Sequence, residues 1–124
     1  MIIKQIVNDE AISFLKINKA LKECVFVRPC DYWCGVYSDN TLVGVGGWTQ
    51  KKRFIEIDGV FVKKNFRGEG IGYLINKHLL DYLEDKKVIV YARPIEAHIL
   101  TKFNFIKTQT LKNGTAKMER KTNK

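Results

Sequence analysis

Between Ile57 and Leu83 the chain reads IDGVFVKKNFRGEGIGYLINKHLLDYL, and Arg67-Gly68-Glu69-Gly70-Ile71-Gly72 at its middle sets glycine at three alternate positions. Glycines so spaced let the backbone pass close to a ligand with its N–H groups turned outward. The helix predicted to follow brings unpaired N–H groups and the positive end of its dipole to the same spot. That chemistry is the holding of phosphate. Spacing excludes two common loops. A dinucleotide loop needs glycine three residues after Gly70, where Tyr73 stands, and a triphosphate loop needs Gly-Lys-Ser/Thr, which is absent.

Carboxylates stand upstream, in Phe54-Ile55-Glu56-Ile57-Asp58. On a strand, twofold alternation puts Glu56 and Asp58 on the same face, about 6–7 Å apart. Two like charges on a partly dry face raise the pKa of at least one of them, the shift a general base needs. His78 edges the apolar stripe of the predicted helix and reads as packing or a surface hydrogen bond. His98 follows Pro94 by four residues, in the helix predicted after the fifth strand, and a functional role is open to it. Cys30-x-x-x-Cys34 without a nearby histidine is a poor zinc signal, so no metal is expected. Cys24, Cys30 and Cys34 are odd in number and irregularly spaced, as reduced thiols of a cytosol are.

The elements that must position these groups follow from periodicity and turn chemistry. Met1 to Val7 alternates as a first strand, and Asn8 and Asp9 offer N-cap chemistry to a helix reaching Leu21. Residues 22 to 31 connect, with Pro29 blocking regular structure. Trp33 to Tyr37 and Leu42 to Trp48 form a hairpin about Asp39-Asn40. Gly44, Gly46 and Gly47 in its second strand suggest a bulge or a close backbone approach. A long strand, Phe54 to Val62, precedes the loop, and the helix from about Gly70 to Leu83 carries Ile71, Leu74, Ile75, Leu79, Tyr82 and Leu83 on one side. Val88 to Tyr91 is a short strand, Pro94 starts a further helix, and Phe103 to Gln109 with Ala116 to Glu119 closes a hairpin about Asn113-Gly114.

At 124 residues, 45% of them hydrophobic, the chain is expected to be one domain, residues 1–124, without a linker or repeat. No apolar run nears the roughly 20 residues a bilayer requires, and MIIKQIVNDE lacks the features of a signal peptide, so a soluble cytoplasmic protein with no membrane partner is expected. The net charge of +9, from 22 Lys and Arg against 13 Asp and Glu, is partly gathered in a basic tail at roughly residues 112–124. Such a field would draw nucleic acid or coenzyme phosphates, and is equally that of a solvated surface.

Read from Arg67, the loop fits Arg/Gln-x-x-Gly-x-Gly/Ala, with Gly70 and Gly72 in register and an apolar strand ending five residues upstream. It resembles the pyrophosphate motif of the GCN5-related N-acetyltransferases (GNAT), and the order of elements over residues 1 to 120 is similar to theirs. The resemblance implies an α/β acyl-CoA N-acyltransferase fold: a mixed, mostly antiparallel sheet flanked by helices, whose fourth and fifth strands splay to admit acetyl-CoA. It implies that the backbone of Val60, Phe61 and Val62 holds the pantetheine arm. Main-chain N–H groups from Arg67 through Gly72, that is Arg67, Gly68, Glu69, Gly70, Ile71 and Gly72, would hold the pyrophosphate, with Lys63 and Lys64 at the rim.

In histone-type members the base is a glutamate eleven positions before the first motif residue, which here is Glu56, with Asp58 a second candidate. The tyrosine that serves as acid in many members falls on Leu100, and their glycine on Asn104, which leaves the acid to Tyr91 or to water. Asp31, Tyr32 and Trp33 stand where substrate often enters, although the aromatic pair also suits the edge of a core. The brief connection before them implies an open cleft, suited to a macromolecular acceptor or a flexible side chain. The implied reaction is acetyl transfer to a primary amine of unidentified acceptor, by a monomer or homodimer. A nucleobase amine as acceptor, or a degenerate coenzyme- or nucleic-acid-binding module, stays open beside it.

Overall fold

The computed structural model describes residues 1–23 and 25–120; Cys24 and the last four residues of the basic segment lie outside them. Seven strands, β1 (Ile2–Ile6), β2 (Tyr32–Ser38), β3 (Thr41–Gln50), β4 (Ile55–Val62), β5 (Val88–Ala92), β6 (Phe105–Thr110) and β7 (Ala116–Arg120), form one sheet. Three helices, α1 (Asn8–Ile17), α2 (Ile71–Leu83) and α3 (Pro94–Thr101), complete the α/β fold in the expected order. The sheet runs β1-β2-β3-β4-β5-β7-β6, and every pairing is antiparallel except β4 with β5.

The parallel pair positions the site. Its register covers Ile55↔Val88, Glu56↔Ile89 and Ile57↔Val90 and stops there, so Asp58–Val62 runs on beside β3 alone and the two strands part. Opposite this opening β4 bulges. Val45 pairs with Phe61 and Gly47 with Asp58, so Gly46 faces both Gly59 and Val60. The extra residue sharpens the local twist and drives the strands apart.

Helix α2 covers one face of the sheet and buries Ile71, Ile75, Leu79, Leu80 and Leu83 against β-branched residues such as Val36, Val43 and Val88. Helix α1 covers the other face, where Phe14 meets Phe61 edge to face and Trp33 is buried. Glycines give these side chains room. A Cβ on Gly47 would lie 2.9 Å from the Trp33 ring, and one on Gly59, at φ +65°, would lie 2.5 Å from Trp33 Cη2. Gly59→Ala therefore combines left-handed backbone strain with overpacking and is expected to destabilise the fold by about 2–5 kcal/mol, measured by urea denaturation.

Several expectations are corrected in detail. Asn8 does not cap α1: Val7 precedes the helix in extended conformation, and Asn8 Oδ1 instead accepts from Cys30 N (3.0 Å) and Trp33 Nε1 (2.6 Å). The helix stops at Ile17, where Asn18 Nδ2 donates to the Phe14 carbonyl, and Ala20–Glu23 forms a separate 3-10 turn. Tyr82 is exposed, stacked on Tyr32 and Trp48, and is no part of the buried stripe. The basic segment from Lys112 is not a tail over its described part. β7 lies between β5 and β6, and Arg120 donates to carbonyls at the end of α2, among them Leu83 (3.3 Å), and to Lys86 (2.8 Å). The turn predicted at Asp39-Asn40 is present, with φ of +48° and +66°, as a tight hairpin turn demands. Among the described residues no helix is long and apolar enough to cross a membrane.

Candidate active site

The glycine loop leaves β4 through a single turn, Lys64–Phe66, and enters α2 at Gly70. Gly68 and Gly70 have φ of +84° and +81°, which fixes glycine at both positions. A Cβ at Gly68, Gly70 or Gly72 would meet nothing within 4 Å, so all three open onto a cradle. No side chain caps α2. Its first N–H groups, which have no intrahelical partner, face a groove of about 510 Å³ bordered by Val60, Val62, Gly68, Gly70 and Gly72. The residues present fit the diphosphate of a coenzyme.

Within that loop the roles divide. The Arg67 N–H donates to the Lys64 carbonyl at 3.4 Å, so this residue offers its side chain rather than its amide. Its guanidinium donates to the Val62 carbonyl (2.9 Å) and pairs with Glu23 (2.8 Å). The Glu69 side chain is exposed and does not border the groove, nor do Lys63 and Lys64. Ile71 and Phe61 bury their side chains in the core, which leaves their backbone to a ligand. Beyond Ile57, the edge of β4 that turns toward β5 has no strand partner.

A second cavity, of about 560 Å³, is lined by Glu56, Asp58 and Tyr91. Alternation has put both carboxylates on one face, with side chains only 12% and 11% exposed. Arg28, from the connection after α1, joins them: Nη2 lies 3.0 Å from Glu56 Oε2 and 2.8 Å from Asp58 Oδ2, and Nε donates to Asp58 at 3.2 Å. Lys51 is 3.9 Å from Glu56. Burial, and then the charge of Asp58, push the Glu56 carboxyl above its ordinary value, against the pull of Arg28 and Lys51. Phe26 and Val25 form an apolar wall beside it.

The two cavities share Val60, Asn76, Arg93 and Glu96, so they meet at the parting of β4 and β5. Asn76 is 5% exposed and is the one buried polar residue among those described; its Nδ2 donates to the Gly72 carbonyl (2.9 Å). Arg93 precedes α3 and is tied to Glu96 through Nε (2.7 Å). Sequence reasoning missed Arg28, Asn76, Arg93 and Glu23. Only Asn76 left a signal there, as a polar residue inside an apolar helical face.

Other candidates fall outside this junction. His98 borders neither cavity. His78 Nε2 lies 2.9 Å from Tyr32 Oη in the aromatic stack against α2, a packing role. Strand alternation sends Tyr32 to that stack and Trp33 to the opposite core, while Asp31 accepts from Gln50 N (2.8 Å). Leu100 is buried, at the wall of the carboxylate cavity, and Asn104 holds φ +69°, a left-handed position that asparagine tolerates in place of glycine. No group of metal-binding side chains occurs among the described residues.

Cys30 and Cys34 are free and buried, and burial raises their thiols to about 11 and about 12. Both are neutral near pH 7 and unsuited to nucleophilic attack. In the folded protein iodoacetamide at pH 7.5 should leave both unmodified by mass spectrometry, and both should react in urea.

Comparison with known proteins agrees with this architecture. The family model described as Acetyltransferase (GNAT) family matches residues 5–102. No curated protein matches the chain. Among solved structures, ElaA from Escherichia coli is similar at a TM-score of 0.76 and 17% identity, covering 97% of this chain and 99% of that one. Rv2747 from Mycobacterium tuberculosis, solved in complex with CoA, has a TM-score of 0.76 at 13% identity, covering 97% and 98%. The ribosomal-protein-S18-alanine N-acetyltransferase from Escherichia coli has 0.70 at 11%, covering 96% and 92%. At these identities the likeness shows the fold.

Proposed function

The chain belongs to the acetyltransferase (GNAT) family, and from that premise we propose that it transfers the acetyl group of acetyl-CoA to a primary amine by direct attack. One observation carries this reading: the cradle at Gly68–Gly72 and the carboxylate cavity at Glu56 and Asp58 meet across the opened β4. Donor and acceptor can thus meet where the two cavities join, at the parting of β4 and β5.

The coenzyme supplies an acyl group activated as a thioester. The backbone of Val60–Val62 receives its pantetheine arm, and the loop and the start of α2 receive its diphosphate. An amine is protonated near neutral pH and must lose that proton before its lone pair can attack. Glu56, its affinity for a proton raised by burial and by Asp58, takes it directly or through one water. Asp58 and Arg28 hold Glu56 in place. A backbone N–H of bulged β4 would polarise the carbonyl; as the C–N bond forms and the C–S bond breaks, the thiolate would take a proton from Tyr91 or water, and the proton still in excess on the attacking nitrogen would replace it.

Thiol release from acetyl-CoA, followed against a panel of amines, tests the reading. Mass spectrometry of a lysate incubated with the protein and isotopically labelled acetyl-CoA would identify the acceptor. Leu100 at the position of the family's tyrosine favours one second reading, a coenzyme-binding module without turnover. Saturable CoA binding with no thiol release for any amine would select that module.

A further inference from the structure

Glu23 ends the turn after α1, and its carboxylate stands in the groove of the glycine loop. Arg67 approaches it with two nitrogens, Nη1 at 2.8 Å from Oε1 and Nη2 at 2.9 Å from Oε2. Arg93 Nη1 lies 3.4 Å from the same Oε1 and donates to the Glu23 main-chain carbonyl at 2.9 Å. One arginine follows β4 and the other follows β5, so a single carboxylate ties the two lips of the splay together. Hydrogen bonds from Arg67 hold the Glu23 carboxyl below its ordinary value, so it is an anion near pH 7.

A forked guanidinium recognises paired oxygens on phosphate as it does on carboxylate. The groove beside these two forks is built for anions, with Gly68, Gly70 and Gly72 opening onto it and α2 directing its N-terminus there. Glu23 therefore stands, as an anion of the chain itself, among groups that would bind an anionic ligand. We propose that Glu23 occupies, between Arg67 and Arg93, the seat of a coenzyme phosphate, and that binding passes both guanidiniums from carboxylate to phosphate. This rests on the acyl-CoA reading of the groove. The carboxylate neutralises the arginines while the groove is empty, and it opposes ligands in proportion to the negative charge they bring to that seat.

Calorimetry with CoA and with pantetheine, which has no phosphate, tests the proposal on wild type and Glu23→Gln. The variant keeps the side chain's shape and removes its charge. CoA is expected to bind Glu23→Gln about tenfold more tightly, the gain from freeing two charge-assisted donors, with pantetheine affinity unchanged. Equal gains for both ligands would mean that the cleft has merely loosened, and would overturn the proposal. Unchanged or weaker CoA binding would make Glu23 a support for the groove, and would overturn it too. Absence of CoA binding in wild type and variant alike would instead defeat the acyl-CoA reading itself.

Discussion

Glu56→Gln should lower amine-dependent thiol release from acetyl-CoA by about 10²- to 10⁴-fold, the usual contribution of a positioned base. CoA affinity should be unchanged, because Glu56 lies in the second cavity and does not border the coenzyme groove. Wild-type kcat/KM should rise with pH through an inflection above 4.5, the carboxyl's ordinary value, as Glu56 loses its proton. The variant should lack that limb. Stability gives an independent readout of the same group. Between the ordinary and the raised value the native state holds this proton more tightly than the unfolded chain, so its contribution to stability declines as pH rises through that window. Above the window the anion is a net cost. Glu56→Gln at pH 7 is therefore expected to melt no lower than wild type, whereas removal of a purely structural ion pair would lower the melting temperature. A variant with full activity would remove Glu56 from the chemistry.

Asp58 and Arg28 explain why this carboxylate could be located from the sequence and its surroundings could not. Twofold alternation is a local rule, and it put Glu56 and Asp58 on one face as expected. Arg28 reaches them from 28 and 30 residues away, out of a connection with no periodicity to fix where its side chain points. Glu23 and Arg93 meet across 70 residues for the same reason. Local rules also located the glycine loop, since Gly68 and Gly70 take backbone angles that a side chain resists. Gly59 takes such an angle too, yet its cause is the Trp33 ring, brought from another strand by the sheet. The parting of β4 and β5 has no residue signature; it was expected only through family resemblance and follows from a register that ends at Ile57. Ala20 and Leu21 continue the apolar spacing of helix α1 and so lengthen the predicted helix, while Lys19, at φ +56°, breaks it before them.

Gly70→Ala and Gly72→Ala should separate in opposite directions, although two residues apart and both facing open space. Gly70 holds φ +81° at the entrance of α2, so alanine there adopts a left-handed conformation at a cost of about 1–2 kcal/mol or turns the backbone away from it. Either response misdirects the loop amides. Because the added Cβ meets no protein atom, the fold should survive, and the loss should appear in the ligand. CoA affinity by calorimetry is expected to fall about 10- to 100-fold, the worth of one charge-assisted hydrogen bond or more. Gly72 lies inside the helix with no positive φ, at the motif position that admits alanine. Its replacement restricts the unfolded chain and should stabilise the protein by about 0.4–1 kcal/mol in urea, with CoA affinity within about twofold of wild type. Gly70→Ala binding CoA as tightly as wild type would show that the diphosphate does not sit on this loop. Without that seat, Glu56 would have no donor to serve across β4.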